Sequence, residues 1–161
     1  MLKRTALHIA YAAALLALGA CASVPQPTTI TDTAARTPQL STLSRLIGEA
    51  GLADTLRGAG PYTVFAPSDA AFKAVPPETM AKLMADKEML RSVLTFHVLA
   101  AKVASEDVKN GNAKTVQGGS LALSKAGTFV TVEEAVVQTP DLAATNGVIH
   151  IVDSVLMPPK K

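Results

Sequence analysis

The sequence predicts an α+β domain, and three observations carry that expectation. Apolar residues in the first half recur at three- and four-residue spacing between Pro and Gly breaks, as short amphipathic helices require. The second half splits into short β-branched or alternating runs punctuated by Gly-rich turns, as strands require. Two apolar stretches, one starting at Tyr62 and one around Val148, tie the halves together.

Order is expected to begin near Pro38. Leu40, Leu43, Leu46 and Ile47 form one helical stripe that Gly48 or Gly51 ends, and Leu52 and Leu56 extend a second short turn stopped at residues 57–61. Residues 62–66 read as a strand closed by Pro67. Ser68 or Asp69 then offers a capping oxygen to a short helix over 70–74 that carries Phe72, and capping accounts for Asp69 without a catalytic role. Pro76-Pro77-Glu78 opens a further helix, and Asp86 opens another with Met89, Leu90, Val93 and Leu94 as its buried stripe. Residues 96–100, which include His97, read as a short strand leaving that helix. Ser105-Glu106-Asp107 can start one more helical turn. Beyond it, 115–117, 120–124, 128–133 and 135–139 are strand candidates, with Leu121, Leu123 and Phe129 on an apolar face and the other face exposed.

The rest is organised around residues 146–158, Asn-Gly-Val-Ile-His-Ile-Val-Asp-Ser-Val-Leu-Met-Pro. Asn146-Gly147 is expected to make a tight turn at positive φ, followed by one long strand that Pro158 and Pro159 stop. Alternation puts Val148, His150 and Val152 on one side and Ile149, Ile151 and Asp153 on the other. Both sides are mostly apolar, so this strand is expected to lie inside, covered on each face.

That stretch resembles the C-terminal signature of fasciclin domains, Asn-Gly-x-Ile-His-x-Ile-Asp-x-Val-Leu-x-Pro. Residues 62–72, Tyr-Thr-Val-Phe-Ala-Pro-Ser-Asp-Ala-Ala-Phe, resemble the family's first signature, and 94–99, Leu-Thr-Phe-His-Val-Leu, the segment around its central His. The resemblance covers residues 38–158 in the family's order. It implies a compact β-sandwich or wedge-like sheet with helices packed on it. It also implies structural rather than catalytic roles for the signature residues Pro67, Asp69, Phe72, His97, Asn146, Gly147, His150 and Asp153. Two positions depart from the pattern: Ser68 replaces a Thr but keeps a hydroxyl cap, and Phe96 replaces a Tyr found in many relatives and so loses a phenolic donor.

The N-terminus points outside the cytoplasm. Lys3 and Arg4 precede an apolar run over 9–18, too short for a comfortable span, which closes on Leu18-Gly19-Ala20-Cys21. This resembles a bacterial lipobox, cut before a Cys that takes a diacylglycerol; the alternative is an ordinary secretory signal with an incidental Cys. The expected organisation is a lipoprotein signal peptide at 1–20, a lipidated Cys21 with a flexible tether through 37, the domain at 38–158 and a tail at 159–161. Ala22 rather than Asp after the Cys favours the outer membrane if the organism is Gram-negative, with the domain facing the periplasm or the cell surface.

The chain has 15 basic and 13 acidic side chains, and removing Lys3 and Arg4 with the signal leaves a balanced domain with no basic run for nucleic acid. Cys21 is the only cysteine, which excludes an internal disulfide and a Cys-based metal cluster. No nucleophile elbow, phosphate loop or zinc-helix motif is present. His97 and His150 each stand alone among apolar residues, the setting of a hydrogen-bonded core His. The expected protein is therefore a monomeric binding or adhesion module. It has no catalytic residues, cofactor or metal, and it is attached to a membrane through Cys21 and directed at an envelope or extracellular protein or glycan. The competing reading is a small envelope hydrolase or ligand carrier with a cleft near Asp69 and His97.

Overall fold

A computed structural model describes residues 28–159. The expected signal peptide at 1–20, Cys21 with the first part of the tether, and Lys160 and Lys161 lie outside the described residues.

Ordered structure starts before Pro38. Part of the expected tether forms α1 (Ile30–Arg36), with the Thr29 hydroxyl accepting from the Asp32 N–H as an N-cap. Ile30 and Ala34, one turn apart, are 0% and 1% exposed in the core. Seven residues offer that single apolar pair, too little periodicity to separate from a Thr-rich spacer. A 3-10 turn (Pro38–Leu40) leads into α2 (Ser41–Glu49), whose buried residues are Leu43, Leu46 and Ile47. Its end is a Schellman motif: Gly51 sits at φ +67°, Leu52 N–H donates to Ile47 O at 3.0 Å and Gly51 N–H to Gly48 O at 3.1 Å. Then come α3 (Ala53–Arg57), β1 (Tyr62–Pro67), α4 (Asp69–Ala74), α5 (Pro77–Ala85) and α6 (Lys87–Phe96).

The helix cap at Asp86 is as expected, its carboxylate accepting from the N–H groups of Glu88 and Met89 at 3.0 and 3.1 Å. Met89 itself faces solvent, at 38% exposure, while Leu90, Val93, Leu94 and Phe96 are buried. The helix runs on through Phe96, so His97 caps it and only Val98–Leu99 remain as β2. No helix forms at 105–107, which is a turn.

The remaining strands are β3 (Gly111–Lys114), β4 (Ser120–Ala126), β5 (Phe129–Val132), β6 (Ala135–Ala144) and β7 (Gly147–Val152). Residues 115–117 make a bridge and a turn rather than a strand, and β3 lies just before them. β6 continues through Pro140 because its ladder with β7 shifts between Thr139 and Leu142, which leaves the missing N–H of Pro140 out of the pairing. In β5 the inward residues are Val130 and Val132. Phe129, expected on the apolar face, is 69% exposed.

The fold is α+β: a seven-stranded sheet in the order β2-β1-β7-β6-β5-β4-β3, with short helices packed on it. The sheet curls until its edges meet, with Leu99 bridging Thr115 and Val116 N–H donating to Val98 O at 2.8 Å. β7 pairs parallel with β1 and antiparallel with β6, and all six of its residues are buried. Its two faces serve two cores. Ile149 and Ile151 join Val64, Ala66 and the helical residues Ile30, Leu46 and Leu94, while Val152 joins Phe65, Leu121 and Val132 inside the curl. At roughly 25 cal/mol per Å² of apolar surface removed from water, a strand buried on both faces holds the two layers together.

Candidate functional site

Asn146 is where the chain converges. Its Oδ1 accepts from Ile30 N–H at 3.0 Å, and its Nδ2 donates to Leu56 O at 2.7 Å and Gly58 O at 2.9 Å. Its own carbonyl accepts from Tyr62 N–H at 3.0 Å, and Thr145 N–H donates to Thr28 O at 2.9 Å. One residue thus joins α1 and the end of α3 through its side chain and β1 through its carbonyl, just before β7 begins. The expected positive-φ turn is absent, since neither Asn146 nor Gly147 lies in that region. Glycine is required at 147 for space: a Cβ would overlap the Tyr62 carbonyl and stand 2.9 Å from Ile30 Cδ1.

The two histidines among the described residues, His97 and His150, are neutral staples of opposite tautomer. His97 is 2% exposed; its Nδ1 donates to Val93 O at 2.7 Å and its Nε2 accepts from Leu156 N–H at 3.0 Å. Desolvation outweighs the Val93 bond and pulls its pKa down to about 4. His150 reverses the roles, with Nε2 donating to Val103 O at 2.8 Å and Nδ1 accepting from Asp141 N–H at 3.1 Å. Its pKa is lowered by desolvation, against the opposing effects of the Val103 bond and the Asp141 charge. The ring stacks on Phe65 at 5.5 Å. Neither imidazole has a nitrogen free to take a proton from a substrate.

The other signature residues are also committed within the fold. Asp69 caps, but not its own helix: Ser68 Oγ accepts from Ala71 N–H to cap α4, while the Asp69 carboxylate receives the Ser41 hydroxyl at 2.6 Å and Thr42 N–H at 2.8 Å at the start of α2. Desolvation pushes its pKa up, but these bonds and Lys73 outweigh it and leave the carboxyl below its ordinary value. Asp153 accepts from Val136 N–H at 2.9 Å, Pro67 pairs with Val152 at the end of β1, and Phe72 is buried among the helices.

Sequence reasoning missed Asp141. It sits at φ +57° in the β6 irregularity, and its carboxylate accepts from both the hydroxyl and the N–H of Ser105. Those bonds, with His150 and Lys125, overcome desolvation and hold its pKa low. The bulge that places it depends on the register of β6 against β7, which no local pattern encodes. Among the described residues no cluster of His, Cys, Asp and Glu could hold a metal ion.

Asp69 and His97 are not brought together. The cleft beside His97 is lined instead by Phe96, Ser120, Glu133, Glu134, Leu156 and Met157, with a volume of about 540 Å³. It opens at the end of the sheet that carries the β3–β4 and β5–β6 turns. On its rim Glu133 accepts from Ala122 N–H at 2.7 Å, and the neighbouring His97 gives its Nε2 to the Leu156 N–H.

Fold and site together define an α+β domain whose polar signature residues hold its own chain in register. The fasciclin domain family model matches residues 38–158, and the chain belongs to that family. It is 37% identical over 133 residues to protein sll1483 of a Synechocystis species, covering 81% of this chain and 74% of that protein. It is 36% identical to the cell surface glycolipoprotein MPB83 of Mycobacterium bovis, covering 81% and 60%. A FAS1 domain pair from the insect cell adhesion molecule fasciclin I superposes with a TM-score of 0.73 at 19% identity over 81% of this chain and 51% of that one, a likeness of fold. Among the described residues no helix is long and apolar enough to cross a membrane.

Proposed function

We propose that this protein is a lipid-anchored, extracytoplasmic binding module without catalytic activity, tethered to the cell envelope through Cys21 and acting by adhesion to an envelope or extracellular protein or glycan. The observation that carries this reading is the commitment of His97 and His150: each of their ring nitrogens already bonds to backbone, so these two buried imidazoles are spent on holding the fold. A module of this kind needs an exposed surface and a rigid frame. The 540 Å³ cleft supplies the first and the doubly buried β7 the second. The relative described as a cell surface glycolipoprotein supports the envelope location and the anchor. Weak contacts by many anchored copies gain avidity, by roughly 100-fold or more where several engage at once.

Intact mass of the membrane-fraction protein should show the chain from Cys21 plus a diacylglyceryl group, and Cys21→Ser should release it and reduce surface attachment or aggregation of cells. A mature chain with a free thiol would remove the anchor from this reading. A hydrolytic activity lost in Asp69→Ala or His97→Ala at unchanged melting temperature would replace binding with catalysis.

A further inference from the structure

We infer that the domain itself touches the membrane that carries its anchor, through the tip of the β4–β5 hairpin and the ring of Phe129; this rests on acylation at Cys21, proposed above. Three features lead there. The first is the length of free chain. Because α1 is packed into the core rather than part of a spacer, only the six residues 22–27 separate Cys21 from Thr28. Even fully extended, at about 3.6 Å per residue, that span reaches roughly 25 Å, about the size of the domain itself.

The second is where the chain enters. Thr28 O accepts from Thr145 N–H in the β6–β7 turn, so the anchor arrives at that end of the sheet. Strands β3 to β7 form an antiparallel run, in which alternate turns fall at the same end. The β4–β5 turn therefore points the same way along the sheet as the anchored β6–β7 turn, while the β3–β4 and β5–β6 turns and the cleft they flank point the other way.

The third is what that hairpin presents. Ala126, Gly127, Thr128 and Phe129 are all exposed and carry no charge, and Phe129, at 69%, is the most exposed large apolar side chain among the described residues. An uncharged tip with one aromatic ring suits the lipid–water interface, where aromatic side chains partition. Behind it the charges are mixed: Lys125 donates to Glu106 O at 3.0 Å, Lys102 and Lys109 share the loop with Glu106 and Asp107, and Asp141 is bound to Ser105. The contact is therefore apolar, not an electrostatic attraction to anionic lipid. It points the cleft at Glu133, Glu134 and Met157 away from the bilayer.

The chain contains no Trp, so single-Trp variants report position without background. The acylated full-length protein, carrying either Phe129→Trp or Met157→Trp, would be reconstituted into phosphatidylcholine vesicles containing an acyl-chain-brominated phosphatidylcholine. Both positions are exposed, so both variants should fold as the parent does. The expected result is a blue-shifted, strongly quenched Trp at 129 and an unshifted, unquenched one at 157, unchanged when phosphatidylglycerol is added or salt is raised. Equal quenching at both positions, stronger quenching at 157, or quenching at 129 only with phosphatidylglycerol would overturn the inference. Intact mass of the same preparation separates the failures: an unacylated chain overturns the anchor and this contact together, whereas an acylated chain with an unquenched Trp at 129 overturns this contact alone.

Discussion

The two ends of the curled sheet are made of the same material, turns between strands, yet they are finished in opposite ways. At the end where the chain enters, Asn146 spends its whole amide on backbone from α1 and the end of α3, and Gly147 lies so close to Tyr62 that no side chain fits. At the other end, Glu133, Glu134 and the segment through Met157 surround an open cleft, and Met157 is 40% exposed. The difference separates two uses of a loop. Where polar groups close on backbone the loop is frame; where backbone bonds are satisfied locally and side chains are left over, it is surface.

Substitutions at the closed end should therefore be the most damaging. Gly147→Val, which drives a branched side chain into the Tyr62 carbonyl, should lower unfolding free energy by about 3 kcal/mol or more. Gly147→Ala should be nearly as harmful, because the clash begins at Cβ; a parent-like melting temperature for the alanine variant would show that the strand can move aside. Asn146→Ala leaves the Ile30 N–H and the Leu56 and Gly58 carbonyls without partners and should cost about 2 to 4 kcal/mol in urea denaturation. Amide hydrogen exchange should quicken first in α1, the element whose N-terminus the side chain caps.

Much of this frame was legible in the sequence, and the reasons for the gaps are physical. β7 announces itself because six consecutive buried positions leave no polar residue except His150, and the split of its faces between two cores follows from alternation alone. Asp69 was legible as a cap but not as the cap of α2, since its partners Ser41 and Thr42 lie 28 and 27 residues away. Gly147 was legible as indispensable for the wrong reason: Asn-Gly suggests a backbone angle, whereas the need comes from a parallel neighbour, β1, 85 residues upstream in register. Phe129 was misplaced because a two-residue period fixes which residues share a face but not which face is inward, and the neighbouring Val130 and Val132 took the core. The cleft left no trace, being assembled from several turns and a chain end.

Between the extremes stand the histidines. The His97 pKa is depressed to about 4 in the folded protein against an ordinary 6.5, so the unfolded chain binds the extra proton between those values. Stability from this group is complete above about pH 6.5 and falls on acidification, at about 1.4 kcal/mol per pH unit, until near pH 4. His150 is shifted in the same direction and adds to the loss. Urea midpoints measured from pH 7.5 to 4.5 should show this slope, and His97→Gln should flatten it while costing about 1 to 3 kcal/mol at pH 7. A variant that keeps the full slope would mean that other groups carry it. Asp69→Ala, which strips an exposed cap from α2, should cost only about 1 kcal/mol at neutral pH.

The smallest effect on stability should come from the open end, and it is the one that bears most on function. Met157 and Glu134 line the cleft, and Met157 is exposed. Their polar or charged atoms hold no part of the backbone, in contrast to Glu133, which accepts from Ala122 N–H. The double variant Glu134→Lys with Met157→Ser should therefore melt within about 0.5 kcal/mol of the parent, as surface changes away from caps and cores do. If this end carries the binding face, the same variant should weaken attachment of anchored protein to its partner surface, because it reverses one charge and removes an exposed apolar side chain of the cleft. Phe129→Ser, at the opposite end, should leave partner attachment unchanged. Cell-surface attachment of the two variants, measured with equal amounts of acylated protein, sets the ends against each other directly. Loss with Phe129→Ser and none with the cleft variant would reverse the assignment of the two ends.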